Sequence, residues 1–97
     1  MTDEREMLME KIIFSKHAKH RMIERKVAMN SVIDAIKSPK QLLYDKWKDL
    51  YISISSDGSA IVYAFHGSYI EIVTVLSKRE FNAIVSKYGY SRYKVIV

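Results

Sequence analysis

The sequence lacks cysteine, and it has little of the two residues that break regular structure, with one proline and three glycines in 97 residues. The absence of cysteine excludes disulfide bonds, thiolate metal sites and cysteine nucleophiles. No apolar run approaches the roughly 20 residues that a membrane span needs. Residues 1–10 are acidic and contain no apolar stretch of the kind found in secretory signals. We therefore expect a cytoplasmic protein with no membrane segment.

A chain of 97 residues, 48% of them hydrophobic, has room for one domain with a single sheet and two or three helices. We divide it into an acidic tail over residues 1–10 and one domain over residues 11–97. The content of Gln and Asn is low, at one and two residues, as is typical of heat-adapted proteins. The formal charge of +5 favours an anionic partner, such as nucleic acid or an acidic protein segment. A well-solvated basic surface is the alternative.

Helices are predicted over residues 16–25, 29–37 and 78–87. Ser15 and Ser77 stand where they would cap the first and third helices, and Pro39 ends the second. Alternating residues predict four strands, over residues 41–47, 50–55, 60–66 and 69–76. The last of these is apolar on both faces, which places it centrally in the sheet. The predicted fold class is α+β, with two N-terminal helices packed on a four-stranded antiparallel sheet and a C-terminal helix.

Two further short strands are indicated at the ends of the domain, over residues 12–14 and 93–97. An Asp57-Gly58 turn joins the second and third strands of the meander.

The first helix carries three functional candidates on one face. His17, Arg21 and Arg25 are spaced four residues apart, so their side chains are neighbours along the helix. Two guanidinium groups repel each other at this spacing, and a phosphate would relieve the repulsion through bidentate hydrogen bonds. An imidazole beside them could donate to that phosphate or transfer a proton. A solvated helix face, with Glu24 pairing locally, is the alternative.

Further basic residues extend this candidate surface. Residues 11–26 hold six Lys and Arg with one Glu, and residues 78–97 hold five with one Glu. The residues we assign to nucleic-acid contact are Lys16, Lys19, His20, Arg79 and Arg92. Tyr88, Tyr90 and Tyr93 lie near Arg92 and Lys94 in the sequence and are of the kind that stacks on unpaired RNA bases.

We expect neither a metal site nor a cofactor. His17 and His20 share a helix face, but His66 is the only other histidine, and the six Lys and Arg of residues 11–26 would repel a divalent cation. The sequence also lacks a glycine-rich phosphate loop, a G-x-S-x-G elbow and a close pair of carboxylates. Enzyme classes built on those motifs are not indicated.

A family resemblance emerges from the order of these motifs. The first helix reads H-A-x-x-R-M-x-x-R from His17 to Arg25, and the second contains V-I-D-A-I at residues 32–36. Together with the Ser38-Pro39 break, this pattern resembles the domain of unknown function 4258 family over residues 12–77. That family is similar in layout to BrnT-like and RelE/ParE-like toxins, small basic proteins in which two helices pack on an antiparallel sheet. BrnT-like and RelE-like members are ribonucleases neutralised by an antitoxin, whereas ParE-like members act on gyrase.

The resemblance implies particular site residues. The positions that match the family's motif are His17, Arg21, Arg25 and Thr74. Arg79 stands where RelE-like proteins often carry a basic residue near the RNA. The family commonly has Gly where Lys26 stands and a helix-capping residue where Ala28 stands. Since a Lys in a left-handed turn costs about 1 kcal/mol, we expect a different turn between the two helices.

The first functional hypothesis is a toxin-like protein that binds RNA and cleaves it without a metal ion. His17 would act as general acid or base, while Arg21 and Arg25 would hold phosphates. Its partners would be RNA, including RNA on the ribosome, and an antitoxin protein. The alternatives are a non-catalytic nucleic-acid-binding module and a purely protein-binding role for the same surface. An exposed edge strand over residues 93–97 would also allow a homodimer.

Overall fold

The computed structural model of the protein describes residues 11–96, which form three α-helices and six strands. The helices are α1 (Lys16–Arg25), α2 (Met29–Lys37) and α3 (Lys78–Tyr88). The strands are β1 (Ile12–Phe14), β2 (Gln41–Asp45), β3 (Leu50–Ile54), β4 (Ala60–Phe65), β5 (Ile70–Leu76) and β6 (Tyr93–Val95). A short 3₁₀ turn, Tyr90–Arg92, connects α3 to β6. The acidic tail predicted for residues 1–10 lies outside the described residues.

The strands form one mixed sheet in the order β1-β5-β4-β3-β2-β6. Strands β2 to β5 make the antiparallel meander that the alternating pattern predicts. Strand β1 joins it parallel to β5, with Ile12 opposite Ile70, and β6 joins it antiparallel to β2, with Tyr93 opposite Asp45. The α+β class is confirmed, but the sheet has six strands instead of the expected four and is mixed instead of antiparallel. The two extra strands pair with main-chain groups that β5 and β2 would otherwise leave open at the sheet edges.

The helices cover both faces of this sheet. On one face, α1 and α2 bury Ala18, Met22, Val32 and Ile36 against Ile61, Tyr63, Ile72 and Val75. On the other face, α3 buries Phe81 and Val85 against Leu43, Ile52, Val62 and Tyr93. Strand β5 lies between β1 and β4, and it is buried in part on both faces, as its apolar sequence predicts. The orientation of α1 is thereby fixed, because only its Ala18 and Met22 side points into the core.

The turn between α1 and α2 differs from expectation at Lys26. This residue adopts the left-handed conformation, with φ 56° and ψ 43°, that a glycine would favour. The main-chain N–H of Val27 donates to the carbonyl of Met22 at 2.9 Å, which helps to offset the conformational cost of about 1 kcal/mol. The different turn expected from Lys26 is therefore not observed. Ala28 stands at the N-cap of α2 without a side-chain cap, as its sequence dictates.

Strand β2 ends two residues earlier than the apolar pattern predicts. The carboxylate of Asp45 accepts the main-chain N–H groups of Trp47 at 2.9 Å and of Lys48 at 3.2 Å, which turns the chain toward β3. The turn is completed by Asp49, whose φ is 54°. Trp47 therefore lies in a turn at the surface and not in a strand.

Candidate nucleic-acid interface

Helix α1 is anchored to the sheet through its N-cap residue, Ser15. The Ser15 hydroxyl accepts the N–H of Ala18 at 3.0 Å and donates to the carbonyl of Val73 on β5, also at 3.0 Å. With Ala18 and Met22 buried, the face that holds Arg21 and Arg25 is turned toward the start of α3. The helix thus presents its arginine candidates along the junction with α3.

At this junction two arginines converge on one carboxylate. Nη2 of Arg21 donates to the two carboxylate oxygens of Glu80 at 2.6 and 2.5 Å, and Nη2 of Arg25 donates to Oε1 of the same group. Nε of Arg21 reaches the carbonyl of Val75 at 3.4 Å. We call Arg21, Arg25 and Glu80 the Glu80 cluster. It has two positive charges and one negative charge, and its side chains are 19%, 28% and 36% exposed, respectively.

Glu80 is held by its own helix as well as by the arginines. Its Oε1 accepts the main-chain N–H of Ser77 at 3.0 Å, and the Ser77 hydroxyl accepts the N–H of Glu80 at 3.1 Å, which is a capping box at the start of α3. The capping bonds hold the carboxylate in one position, and the carboxylate in turn fixes both guanidinium groups. Reasoning from sequence missed Glu80, although Ser-x-x-Glu at residues 77–80 is a recognisable capping signal.

His17 shares this helix face but stays apart from the cluster. It is exposed, and it forms no hydrogen bond or ion pair with another residue in the range 11–96. The hydroxyl of Thr74, a further position matched by the family motif, is buried and has no hydrogen-bond partner among the described residues. Arg21 and Arg25 therefore lie together at Glu80, whereas His17 has no acidic or basic side chain bonded to it within the described range.

The other basic candidates on α1 and α3 lie at the surface. Lys16 and Lys19 are exposed on α1, and Arg79 is exposed in the first turn of α3, next to Glu80. His20 lies 3.1 Å from Glu24, one helical turn further along, so its imidazole is engaged locally. Lys16, Lys19 and Arg79 thus remain accessible on the two helices that meet at the Glu80 cluster.

Arg92 takes a different place from the one that its sequence neighbours predict. It is buried, and its Nε and Nη2 donate to the two carboxylate oxygens of Asp45 at 2.9 and 2.5 Å. Burial works to raise the pKa of Asp45, but the hydrogen bonds from Arg92 and from the Trp47 and Lys48 N–H groups outweigh it and hold the pKa below its usual value. The guanidinium fork is occupied, and the structure gives Arg92 the role of joining β6 to the end of β2.

Two exposed aromatic rings, those of Trp47 and Tyr88, pack against the buried Asp45–Arg92 pair. Trp47 packs over the Arg92 guanidinium, 5.1 Å from the carbon to the ring centre, and meets the edge of the Tyr88 ring at 6.3 Å between centres. Trp47 and Tyr88 are 62% and 43% exposed. Sequence reasoning missed Trp47 by placing it at the end of a strand; the lysines on either side of it were the available signal.

Two kinds of feature are absent from the part of the chain that the structure describes. Between residues 11 and 96, no three His, Asp or Glu side chains converge as a metal ion would require. The helices of that range include none that is long and apolar enough to cross a membrane.

No protein-family model matches this chain, and neither does any curated protein or any solved structure. The resemblance to the domain of unknown function 4258 family therefore stays a prediction from the sequence motifs.

Proposed function

We propose that this protein binds RNA through the surface where α1 meets the start of α3. The observation that carries the proposal is the Glu80 cluster, in which one carboxylate holds two arginines and leaves a net positive charge at the surface. Lys16 and Lys19 on α1 and Arg79 beside Glu80 on α3 are also exposed. We define these six residues as the α1 surface.

The cluster is suited to phosphate because its donors are positioned in advance. Each guanidinium has five N–H donors, and the bonds to Glu80 and to the Val75 carbonyl use only some of them. A phosphate at the exposed side would meet two arginines already held together, so binding would cost little side-chain entropy. The exposed lysines of α1 would contact further phosphates of the same strand and give binding a strong salt dependence.

The resemblance to BrnT-like and RelE/ParE-like toxins supports the same assignment. In support of it, the described part of the chain begins with β1, two helices and an antiparallel meander, and α1 has the H-A-x-x-R-M-x-x-R pattern on which the resemblance is based. We propose accordingly a cytoplasmic, toxin-like protein whose RNA target lies free or on the ribosome. An antitoxin with an acidic segment would bind the same surface and exclude the RNA, and the edge strand β6 offers a pairing site for a second copy.

Metal-independent cleavage is a second candidate, favoured by the exposure of His17 on the α1 face that carries the arginines. In that reaction His17 would take the proton of a ribose 2′-hydroxyl, whose oxygen attacks the adjacent phosphorus. The 5′-oxygen would leave with a proton from water or from the imidazolium, and a 2′,3′-cyclic phosphate would remain. Because His17 has no partner among the described residues, binding is the better-supported function.

The test measures retention and cleavage of a labelled single-stranded RNA in EDTA over a salt series. The variants are Lys16→Ala/Lys19→Ala on the α1 surface and a matched control, Lys37→Ala/Lys40→Ala, which removes the same charge from exposed positions on and after α2. The proposal expects weaker binding in the first variant only. The salt slope of that variant should also fall, by about 0.7 for each phosphate that the protein no longer neutralises.

Equal weakening in both double variants would show a nonspecific charge effect and would overturn the assignment of this surface. Cleavage by the wild type that disappears in His17→Ala, with RNA retention kept, would establish the second candidate. Cleavage that survives His17→Ala would remove it.

A further inference from the structure

The turn between β2 and β3 carries an exposed aromatic surface that the proposed function does not use. It comprises Trp47 and Tyr88, with three exposed lysines at its margin, Lys46, Lys48 and Lys87. We name these five residues the Trp47 platform. It lies at the last turn of α3 and shares no residue with the α1 surface, which lies at the first turn of that helix.

The platform is rigid because it is built on the buried ion pair. The N–H of Trp47 donates to the Asp45 carboxylate at 2.9 Å, and the N–H of Lys46 donates to the Arg92 carbonyl at 3.0 Å. The Arg92 guanidinium supports the Trp47 ring at 5.1 Å and the Tyr88 ring at 5.4 Å. Both rings are thus held in place while a large part of their surface meets solvent.

The charges around the rings are positive. Lys87 places its Nζ 5.3 Å from the centre of the Tyr88 ring, and Lys46 and Lys48 flank Trp47 in the chain. Of the nearby carboxylates, Asp45 is paired with Arg92, while Asp49 accepts the Tyr44 hydroxyl at 2.6 Å and keeps its negative charge, which the three lysines outnumber. A flat, exposed aromatic ring bordered by ammonium groups complements a nucleobase followed by phosphates.

From this geometry we infer that the Trp47 platform binds unpaired bases of a single-stranded nucleic acid, with a base stacked on Trp47 and the lysines on the adjoining phosphates. The inference rests on the proposed function, RNA binding, and adds that the nucleic acid is bound in its single-stranded form. Base stacking does not distinguish ribose from deoxyribose, so the platform can bind single-stranded RNA and single-stranded DNA alike.

The test uses the fact that Trp47 is the only tryptophan of the chain. Its emission is followed during titration with a 12-nucleotide oligo-uridine, and affinities are measured by anisotropy of the labelled oligonucleotide. Oligo-thymidine and an RNA duplex serve as further probes. The variants are Trp47→Ala, the conservative Trp47→Phe, and Phe65→Ala, which removes an exposed aromatic ring from the end of β4.

We expect quenching of Trp47 by oligo-uridine and a loss of affinity of about fivefold or more in Trp47→Ala. Trp47→Phe retains a ring and should lose less affinity for oligo-uridine. Phe65→Ala should bind oligo-uridine as the wild type does, and none of the variants should change the affinity for the RNA duplex. Similar behaviour with oligo-thymidine would show that the bases are read without the 2′-hydroxyl, and its failure to bind would restrict the platform to RNA.

Unchanged emission on binding, or equal affinities of Trp47→Ala and the wild type, would overturn the inference. If Lys16→Ala/Lys19→Ala still weakens binding in that case, the proposed function stands without the platform. If only the Trp47 variants weaken binding, the platform stands and the α1 surface fails. Binding of no oligonucleotide at low salt would overturn both and would assign the exposed aromatic group to a protein partner.

Discussion

Two arginine–carboxylate clusters join parts of the chain that are far apart in sequence, and they differ in burial and in balance of charge. Asp45 and Arg92 form a one-to-one pair whose side chains are 4% and 8% exposed. In the Glu80 cluster, Arg21 and Arg25 share one carboxylate at the surface, where all three side chains are partly accessible. The same chemical groups therefore appear once as a neutral buried unit and once as a positively charged accessible one.

This difference in burial and charge assigns the two clusters different roles, one in stability and the other in binding. A buried pair is costly to break, because the remaining charge has neither water nor a partner. A pair at the surface contributes little to stability, since water and salt replace much of the interaction. We therefore interpret the Asp45–Arg92 pair as a support for the fold and for the Trp47 platform, and the Glu80 cluster as a site whose surplus charge is directed at a ligand.

The largest effect is expected from Asp45→Ala. Removing the carboxylate leaves the Arg92 guanidinium buried without a counter-charge, and we expect the free energy of unfolding to fall by about 3–5 kcal/mol in urea titrations. The matched control is Asp34→Ala, which removes an exposed carboxylate on α2 and should change stability by about 0.5 kcal/mol or less. A loss of under about 1 kcal/mol in Asp45→Ala would show that the buried pair does not hold this region.

A smaller loss of stability, with a gain in binding, is expected from Glu80→Gln. The amide keeps the shape of the side chain and an oxygen for the Ser77 N–H but removes the negative charge, so stability should fall by about 1 kcal/mol. The cluster would gain a full positive charge toward the ligand. We expect this added charge to outweigh the loss of positioning by the Glu80 carboxylate, giving tighter RNA binding at low salt and a steeper salt slope in the retention assay. Unchanged RNA affinity would contradict the assignment of the cluster to phosphate.

A still smaller effect is expected from salt, which should change the stability contribution of the Glu80 cluster but not that of the Asp45–Arg92 pair. Raising NaCl to about 1 M shortens the Debye length to about 3 Å, which screens the accessible Glu80 cluster but not the buried pair. The difference in unfolding free energy between wild type and Glu80→Gln should shrink by a few tenths of a kcal/mol. The difference for Asp45→Ala should persist. If salt reduced the stability losses of Glu80→Gln and Asp45→Ala equally, the two clusters would not differ in their exposure to screening.

Much of the fold could be predicted because its signals are local. Ser15 and Ser77 cap helices where the sequence places them, and the alternating segments form the meander. The sequence also indicates short strands over residues 12–14 and 93–97, but their place in the sheet could not be predicted in the same way. Strands β1 and β6 are three residues long, and they exist because β5 and β2 offer them partners from distant parts of the chain.

The candidate site was predicted only in part for the same reason. Spacing along α1 indicates that Arg21 and Arg25 lie side by side, and the structure brings both to Glu80. Glu80 and Asp45 each meet their arginines across a long stretch of chain, in contacts that no local pattern encodes. Arg92 illustrates the consequence, because its basic and aromatic neighbours indicate a surface role while its pairing with Asp45 places it in the interior.

Asp57 is a source of acid sensitivity independent of both arginine clusters, and because its carboxylate is exposed we expect its effect on stability to be small. Hydrogen bonds from the Ser55 hydroxyl and the Ser59 N–H lower the pKa of Asp57 to about 2 from its ordinary 3.8. Because the folded state holds this proton less tightly than the unfolded state, the stabilisation is present above the unfolded pKa and is lost as the pH falls from about 4 to 2. Thermal unfolding of Asp57→Asn should therefore depend less on pH in that interval than the wild type does, and Ser55→Ala should shift the dependence in the same direction. Parallel curves for all three proteins would assign the acid sensitivity to other carboxylates, of which Asp45, with its lowered pKa, is the next to test.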